Sequence, residues 1–339
     1  MFEVPSIAIL VVTIILGLAY AYSNGLNDAA NALATVVSTR VLTPLAAVVM
    51  GGVMNLAGAL TGTAVAKTIS KGVVKPDIVD ETTALAAIGA AVIWVLLATR
   101  RGFPVSVSHA LIAGLVGAGL ASAGMAAIIG SGVIKVVIAL AASPLVAFLG
   151  GLLIMSLLYR LGQWLTHRFT PPYINAWFGR LQILSAMWLS YAHGKNDGQN
   201  AMGIITLGLA VYYGWSAQEV FVPLWVILAS ALAIALGTGL GGWRVIRTLG
   251  MRVTKLQPIN GFGAEATAGS VIEAASLIGL PISTTHTATS AIVGVGATRR
   301  LSAVRWGVTR EIMAAWLVSY PVCFALGWAL STVLGLLIA

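Results

Sequence analysis

Long apolar runs interrupted by short polar stretches set the pattern of this chain. The run SIAILVVTIILGLAYAY (6–22) has the length and composition of a membrane-crossing helix and reads as a retained span, because no basic segment precedes it as in a signal peptide. It passes directly into SNGLNDAANALAT (23–35), which places Asn27, Asp28 and Asn31 at membrane depth. Further apolar runs over 42–66, 132–158 and 219–241 predict spans. Two longer segments, 82–120 and 262–297, carry polar centres, GFPVSVSH and GLPISTTH, and predict helical hairpins with those centres at the tips. None of the short alternating segments of a membrane β-barrel is present.

Composition narrows the class. Of 339 residues, 59% are hydrophobic and 9% charged, against roughly 25% charged in a soluble domain. The chain reads as an all-α polytopic membrane protein. Its net charge of +9 comes from basic residues spread over the loops without interleaved aromatics, so it reports membrane topology rather than nucleic acid. The single Cys323 excludes a disulfide framework. No Walker sequence and no HExxH are present, which argues against ATP as energy source and against a metallohydrolase.

The chain is written twice. GLNDAANALAT (25–35) and GKNDGQNAMGI (194–204) share five of eleven positions at an offset of 169, including Asn27/Asn196, Asp28/Asp197 and Asn31/Asn200. GFPVSVSHALIAGLVGAGL (102–120) and GLPISTTHTATSAIVGVGA (279–297) share seven of nineteen at an offset of 177, including Pro104/Pro281, Ser106/Ser283 and His109/His286. The expected units are 1–168 and 169–339. The first 39 and last 29 residues carry no Lys or Arg, so both termini are expected outside the cell. Arg40 follows the first motif, whereas Arg160, His167, Arg168 and Arg180 precede the second. With both clusters cytoplasmic, the motifs run in opposite directions, giving two inverted-topology repeats. Hairpin 262–297 then re-enters from the cytoplasm and hairpin 82–120 from outside. Lys67, Lys71 and Lys75 fall on the wrong side, softened by nearby Asp77, Asp80 and Glu81.

An aspartate at the centre of a spanning helix costs about 2.5–3.5 kcal/mol, so two copies need partners or a purpose. On a helix, Asn27, Asp28 and Asn31 share one side. The preceding Gly25 and Gly194 are expected to break the helix, freeing carbonyls for a cation and amides for an anion; an interhelical hydrogen-bond clamp is the alternative. Pro104 and Pro281 put Ser106 and Ser108, and Ser283, Thr284 and Thr285, at helix starts. There, free N–H groups and hydroxyls bind oxyanions, although plain N-capping uses the same residues. His109 and His286 fit a structural bond or a proton relay equally. Glu265 and Glu273 have no counterpart in the first half, where residues 88 and 96 are Ile and Leu. Arg100 and Arg101 flank the first tip.

GLNDAANA and GKNDGQNA, together with PVSVSHA and PISTTHT, resemble the inorganic phosphate transporter (PiT) family over nearly the whole chain. The resemblance implies secondary phosphate uptake across the plasma membrane with Na⁺ or H⁺, broken helices in inverted repeats, a homodimer and an elevator-like motion. It carries phosphate binding to Ser106, Ser108, Ser283, Thr284, Thr285, Asn27 and Asn196. Coupling-ion binding falls to Asp28, Asn31, Asp197 and Asn200, with Na⁺ at Asp28 and Asp197, and Glu265 is added as a coupling-ion ligand. Many bacterial relatives have Lys where this chain has Asn200, leaving the coupling ion open, and the lack of a long cytoplasmic insertion marks a compact prokaryotic form. No cofactor, enzyme activity or nucleic acid partner is expected. The alternatives are a carrier of sulfate or arsenate, a passive anion channel, and an intramembrane aspartyl protease.

Overall fold

The computed structural model describes residues 6–338, and among these every regular element is helical. In chain order the helices are α1 (Ser6–Ser38), α2 (Pro44–Ala59), α3 (Ala64–Gly72), α4 (Glu81–Arg101), α5 (Val107–Ala123) and α6 (Gly130–Leu165). The second half contributes α7 (Pro171–Tyr213), α8 (Leu224–Leu240), α9 (Trp243–Arg247, running on as a π turn over Thr248–Arg252), α10 (Pro258–Leu277), α11 (Thr284–Arg299) and α12 (Trp306–Ile338). Five of these are long and apolar enough to cross a membrane, or seven when the bent pairs α2–α3 and α8–α9 each count as one span. The protein is a multi-pass membrane protein.

Local chemistry explains the boundaries. The Thr43 hydroxyl caps α2, with Pro44 at the first helical position, and the Asp80 carboxylate caps α4 by accepting from the Thr83 N–H at 2.9 Å. Gly102, with φ of 74°, ends α4 in a left-handed turn that a side chain would strain. The expected hairpins are present as α4–α5 and α10–α11, slightly wider than the sequence limits.

The helix breaks fall elsewhere than expected. Both α1 and α7 run without interruption through Gly25 and Gly194. These glycines instead permit close crossings, since a Cβ on Gly25 would lie 2.1 Å from the Ile234 carbonyl oxygen and one on Gly194 2.2 Å from that of Asn55. Thus α1 lies against α8, and α7 against α2, at backbone distance. The bends occur between α2 and α3, at 65°, and between α8 and α9, at 59°.

Helices α1 and α7 pass each other antiparallel. Gly17 meets Ile205 near one end, Asp28 meets His193 at 3.8 Å midway, and the Thr39 hydroxyl donates to Gln182 at 2.9 Å near the other end. The two polar segments therefore cross at their middles. Around them the hairpin helices are well enclosed, whereas α6 and α12 turn most of their surface outward, with Leu153 62% and Leu317 76% exposed. Such apolar exposure suits contact with lipid tails.

Candidate functional site

Asp28 from α1 and Asp197 from α7 converge on the start of α11. The Thr284 hydroxyl lies 3.2 Å from Asp28 Oδ2 and 2.9 Å from Asp197 Oδ2. Thr285 donates to Asp28 Oδ1 at 3.1 Å, and Ser108, from the start of α5, lies 3.4 Å from Asp197 Oδ1. Both carboxylates are buried, 1% exposed. Two carboxylates enclosed this closely, sharing one hydroxyl proton, call for positive charge.

His193, one turn before Asp197, was not singled out by the sequence reading. Its Nε2 is 3.3 Å from Asp197 and 3.8 Å from Asp28, and its Nδ1 donates to the Asn55 side-chain oxygen at 2.7 Å. Asp28, His193 and Asp197 present ligand atoms all within 4.8 Å of one another, the geometry of a cation site. The position 169 residues earlier is Asn24, so comparing the repeats hides this histidine; its i,i+4 spacing to Asp197 was the available signal.

The four asparagines divide the work in a repeated way. Asn31 of α1 reaches the first turn of α11, donating to Thr284 at 3.3 Å and Thr285 at 3.1 Å, and Asn200 of α7 reaches the first turn of α5, donating to Ser108 at 2.8 Å. Asn27 holds the end of α4 through Thr99 at 2.7 Å, and Asn196 holds the end of α10 through Ser276 at 2.9 Å. The side-chain oxygens of Asn27, Asn31 and Asn200 are buried and meet no hydrogen-bond donor among the described residues. Buried acceptors are normally satisfied. Carboxylate and amide oxygens are hard donors of the kind that oxygen-preferring cations take.

The tips behave in two ways. Ser106 and Ser283 spend their hydroxyl oxygens on capping, each accepting from the N–H of the following histidine at 3.1 Å. Ser108, Thr284 and Thr285, one step inside each helix, turn toward the aspartates instead. The first N–H groups of a helix have no intrahelical partner and can donate to an oxyanion. The tips also touch each other: the Thr285 hydroxyl, whose one proton is shared with Asp28, lies 3.0 Å from the Val105 carbonyl, and the His109 and His286 rings lie 4.6 Å apart. His286 stacks on Trp316 at 3.8 Å.

Glu265 stands away from this cluster. Fully buried on α10, it accepts from Thr35 at 2.5 Å, from Gln182 at 3.0 Å and from Ser185. Thr35 is two turns along α1 from Asp28, about 10 Å. Glu273 forms an ion pair with Lys195, which explains the lysine within the second motif. Arg101 is exposed, and the Arg100 carbonyl accepts from Arg244.

Comparison with known proteins supplies the wider context. The profile described as "Phosphate transporter family" matches residues 24–327. Two relatives carry the name "Probable low-affinity inorganic phosphate transporter". The one from Rhizobium meliloti is 44% identical over 92% of both chains. The one from Bacillus subtilis is 41% identical over 94% of both. A solved structure titled "The sodium-dependent phosphate transporter" superposes with a TM-score of 0.87 at 28% identity, covering 97% of this chain and 99% of that one.

Proposed function

This chain belongs to the phosphate transporter family, and from that premise we propose that it imports inorganic phosphate across the cell membrane together with a cation, without enzymatic chemistry. The observation that carries the reading is the convergence of Asp28, Asp197 and the first turns of α5 and α11 on one buried point. The antiparallel passage of α1 and α7 supports two oppositely oriented halves, 1–168 and 169–339, that close around it.

Phosphate carries one to two negative charges at neutral pH and does not cross a hydrocarbon core unaided. In the proposed mechanism its oxygens accept from the first-turn N–H groups of α5 and α11 and from the hydroxyls of Ser108, Thr284 and Thr285. Ser106 and Ser283 act as caps that hold those turns open toward the anion. Asp28, Asp197 and the amide oxygens of Asn27, Asn31 and Asn200 hold the cation, with Asn196 fixing the second hairpin. Each charge lowers the cost of burying the other, so the two bind cooperatively.

The carboxylate and amide oxygens favour Na⁺, as does likeness to a sodium-dependent transporter. His193 favours a second reading. With its Nδ1–H given to Asn55, Nε2 faces two carboxylates; protonated, it is itself the cation, and uptake is then proton-driven. Glu265 is assigned to a separate coupling-ion role. Labelled-phosphate uptake into proteoliposomes with Na⁺ and pH gradients imposed separately decides. Accumulation driven by Na⁺ alone supports the first reading and by pH alone the second. Flux indifferent to both leaves a passive channel and ends the coupling proposal. Competition by sulfate or arsenate sets the anion selectivity.

A further inference from the structure

Each hairpin tip is clasped from outside the site by a threonine of a bent helix pair. Gly102 and Gly279 end the first arms of the hairpins in left-handed turns, with φ of 74° and 70°. Thr68 of α3 donates to the Gly279 carbonyl at 2.7 Å, and Thr248, after α9, donates to the Gly102 carbonyl at 3.1 Å. Both hydroxyls share their proton with the carbonyl four residues back, Ala64 at 3.3 Å and Arg244 at 3.1 Å. The clasps sit on opposite sides of Asp28 along α1. Gly250, beside Thr248, packs on the Ala34 carbonyl, whereas Ile69, beside Thr68, packs on Gly203, two residues from the Ile205 that covers Gly17.

Each threonine also lines a cationic cavity. Thr68 shares one of about 490 Å³ with Lys67 and Lys71, and Thr248 shares one of about 550 Å³ with Arg101, Arg244, Arg247 and Arg252. No carboxylate lines either cavity. Glu219, near the first, is engaged by the N–H and hydroxyl of Ser216 at 2.8 and 2.7 Å. Lys71 donates only to the Ala217 carbonyl, at 2.9 Å, and none of these cations has an ion-pair partner among the described residues. The charge rule for membrane topology accounts for the arginines but places no positive charge at the opposite end of the molecule, where Lys67 and Lys71 stand.

We infer that the two cavities are peripheral oxyanion sites, one on each face of the membrane, and that phosphate bound in either takes the threonine's hydroxyl proton away from the glycine carbonyl and frees the hairpin tip on that side. The inference rests on the phosphate-transport reading above. A charged oxyanion oxygen is a stronger acceptor than a neutral carbonyl, and lysine or arginine beside it supplies the charge that draws it in. The substrate thereby opens the gate through which it enters, and the far gate stays clasped.

The test uses the full-length protein and initial rates of labelled-phosphate uptake in right-side-out and inside-out vesicles. Lys67→Gln with Lys71→Gln raises KM from the outer face roughly three- to tenfold, the scale of one or two exposed charge contacts, and leaves inner-face KM unchanged. Arg247→Gln with Arg252→Gln does the converse. Thr68→Val, which has no hydroxyl to redirect, removes the sensitivity of outer-face KM to the lysine changes, whereas Thr68→Ser retains it. Equal changes from both faces, or no change from either, overturn the inference while leaving transport intact. A wild-type protein with no saturable phosphate flux from either face overturns the transport reading itself, and the inference with it.

Discussion

The Thr284 hydroxyl and the Asp197 carboxylate meet at 2.9 Å, tying the first turn of α11 to the middle of α7. Since Thr284 also lies 3.2 Å from Asp28, one side chain joins the candidate anion-binding helix start to both candidate cation ligands. Displacement of either carboxylate is therefore felt at the tip.

Asp28→Asn and Asp197→Asn each remove a negative charge but keep the shape. Cation-driven phosphate accumulation in proteoliposomes should fall to background in both, with normal membrane insertion. Wild-type accumulation in either variant would remove that aspartate from the mechanism.

Thr284→Val keeps the branched side chain but deletes the hydroxyl, leaving two buried carboxylate oxygens short of a donor, at about 1–3 kcal/mol. Phosphate binding measured by equilibrium dialysis should weaken about tenfold or more, and Thr284→Ser should restore it. Equal binding by the valine and serine variants would show that the hydroxyl plays no part.

His193→Gln preserves a side-chain donor toward Asn55 but cannot carry charge. On the sodium reading, Na⁺-driven uptake persists in this variant within a few fold of wild type. Total loss of driven uptake, with retained phosphate binding, would transfer the coupling role to the imidazole.

Glu265→Gln replaces an acceptor of three hydrogen bonds by a group with one oxygen and an extra donor. The expected loss is about 1–3 kcal/mol of stability, read as a lower unfolding temperature in detergent. An unchanged transition would mean that this carboxylate is protonated or otherwise relieved in the folded protein.

Gly25→Ala and Gly194→Ala test the crossings. Each added methyl points at a carbonyl little more than 2 Å away, so the helices must separate, at about 1–3 kcal/mol. Both variants should melt earlier than wild type, and neither should gain from a change of coupling ion.

The aspartates, asparagines and tip hydroxyls were legible because both copies carry matching letters, and a polar group at membrane depth announces itself. The hairpins followed from Pro104, Pro281 and the helix-starting residues after them. Gly25 and Gly194 were misleading, because glycine serves a break and a close crossing equally and only the neighbouring carbonyl decides between them. His193 was hidden because its counterpart is Asn24. The partnership of Glu273 with Lys195 spans 78 residues and carries no local pattern. Thr68 and Thr248 stand in similar stretches, VAKTISKGV (65–73) and VIRTLGMRV (245–253), but the carbonyls they face lie 211 and 146 residues away, so their shared role emerges only from the fold.

Among the described residues, the polar knot at Glu265 exists once. Counting back by the repeat offsets, Gln182, Ser185 and Glu265 correspond to Thr13, Leu16 and Ile88, and the Thr13 hydroxyl meets no partner among the described residues. A machine built from two interchangeable halves would rest equally in either posture. Here one end of the α1–α7 pair is fastened by three hydrogen bonds to Glu265, whereas Gly17 and Ile205 meet at the other through apolar contact; on the proposed transport reading, the idle carrier then favours one posture over the other.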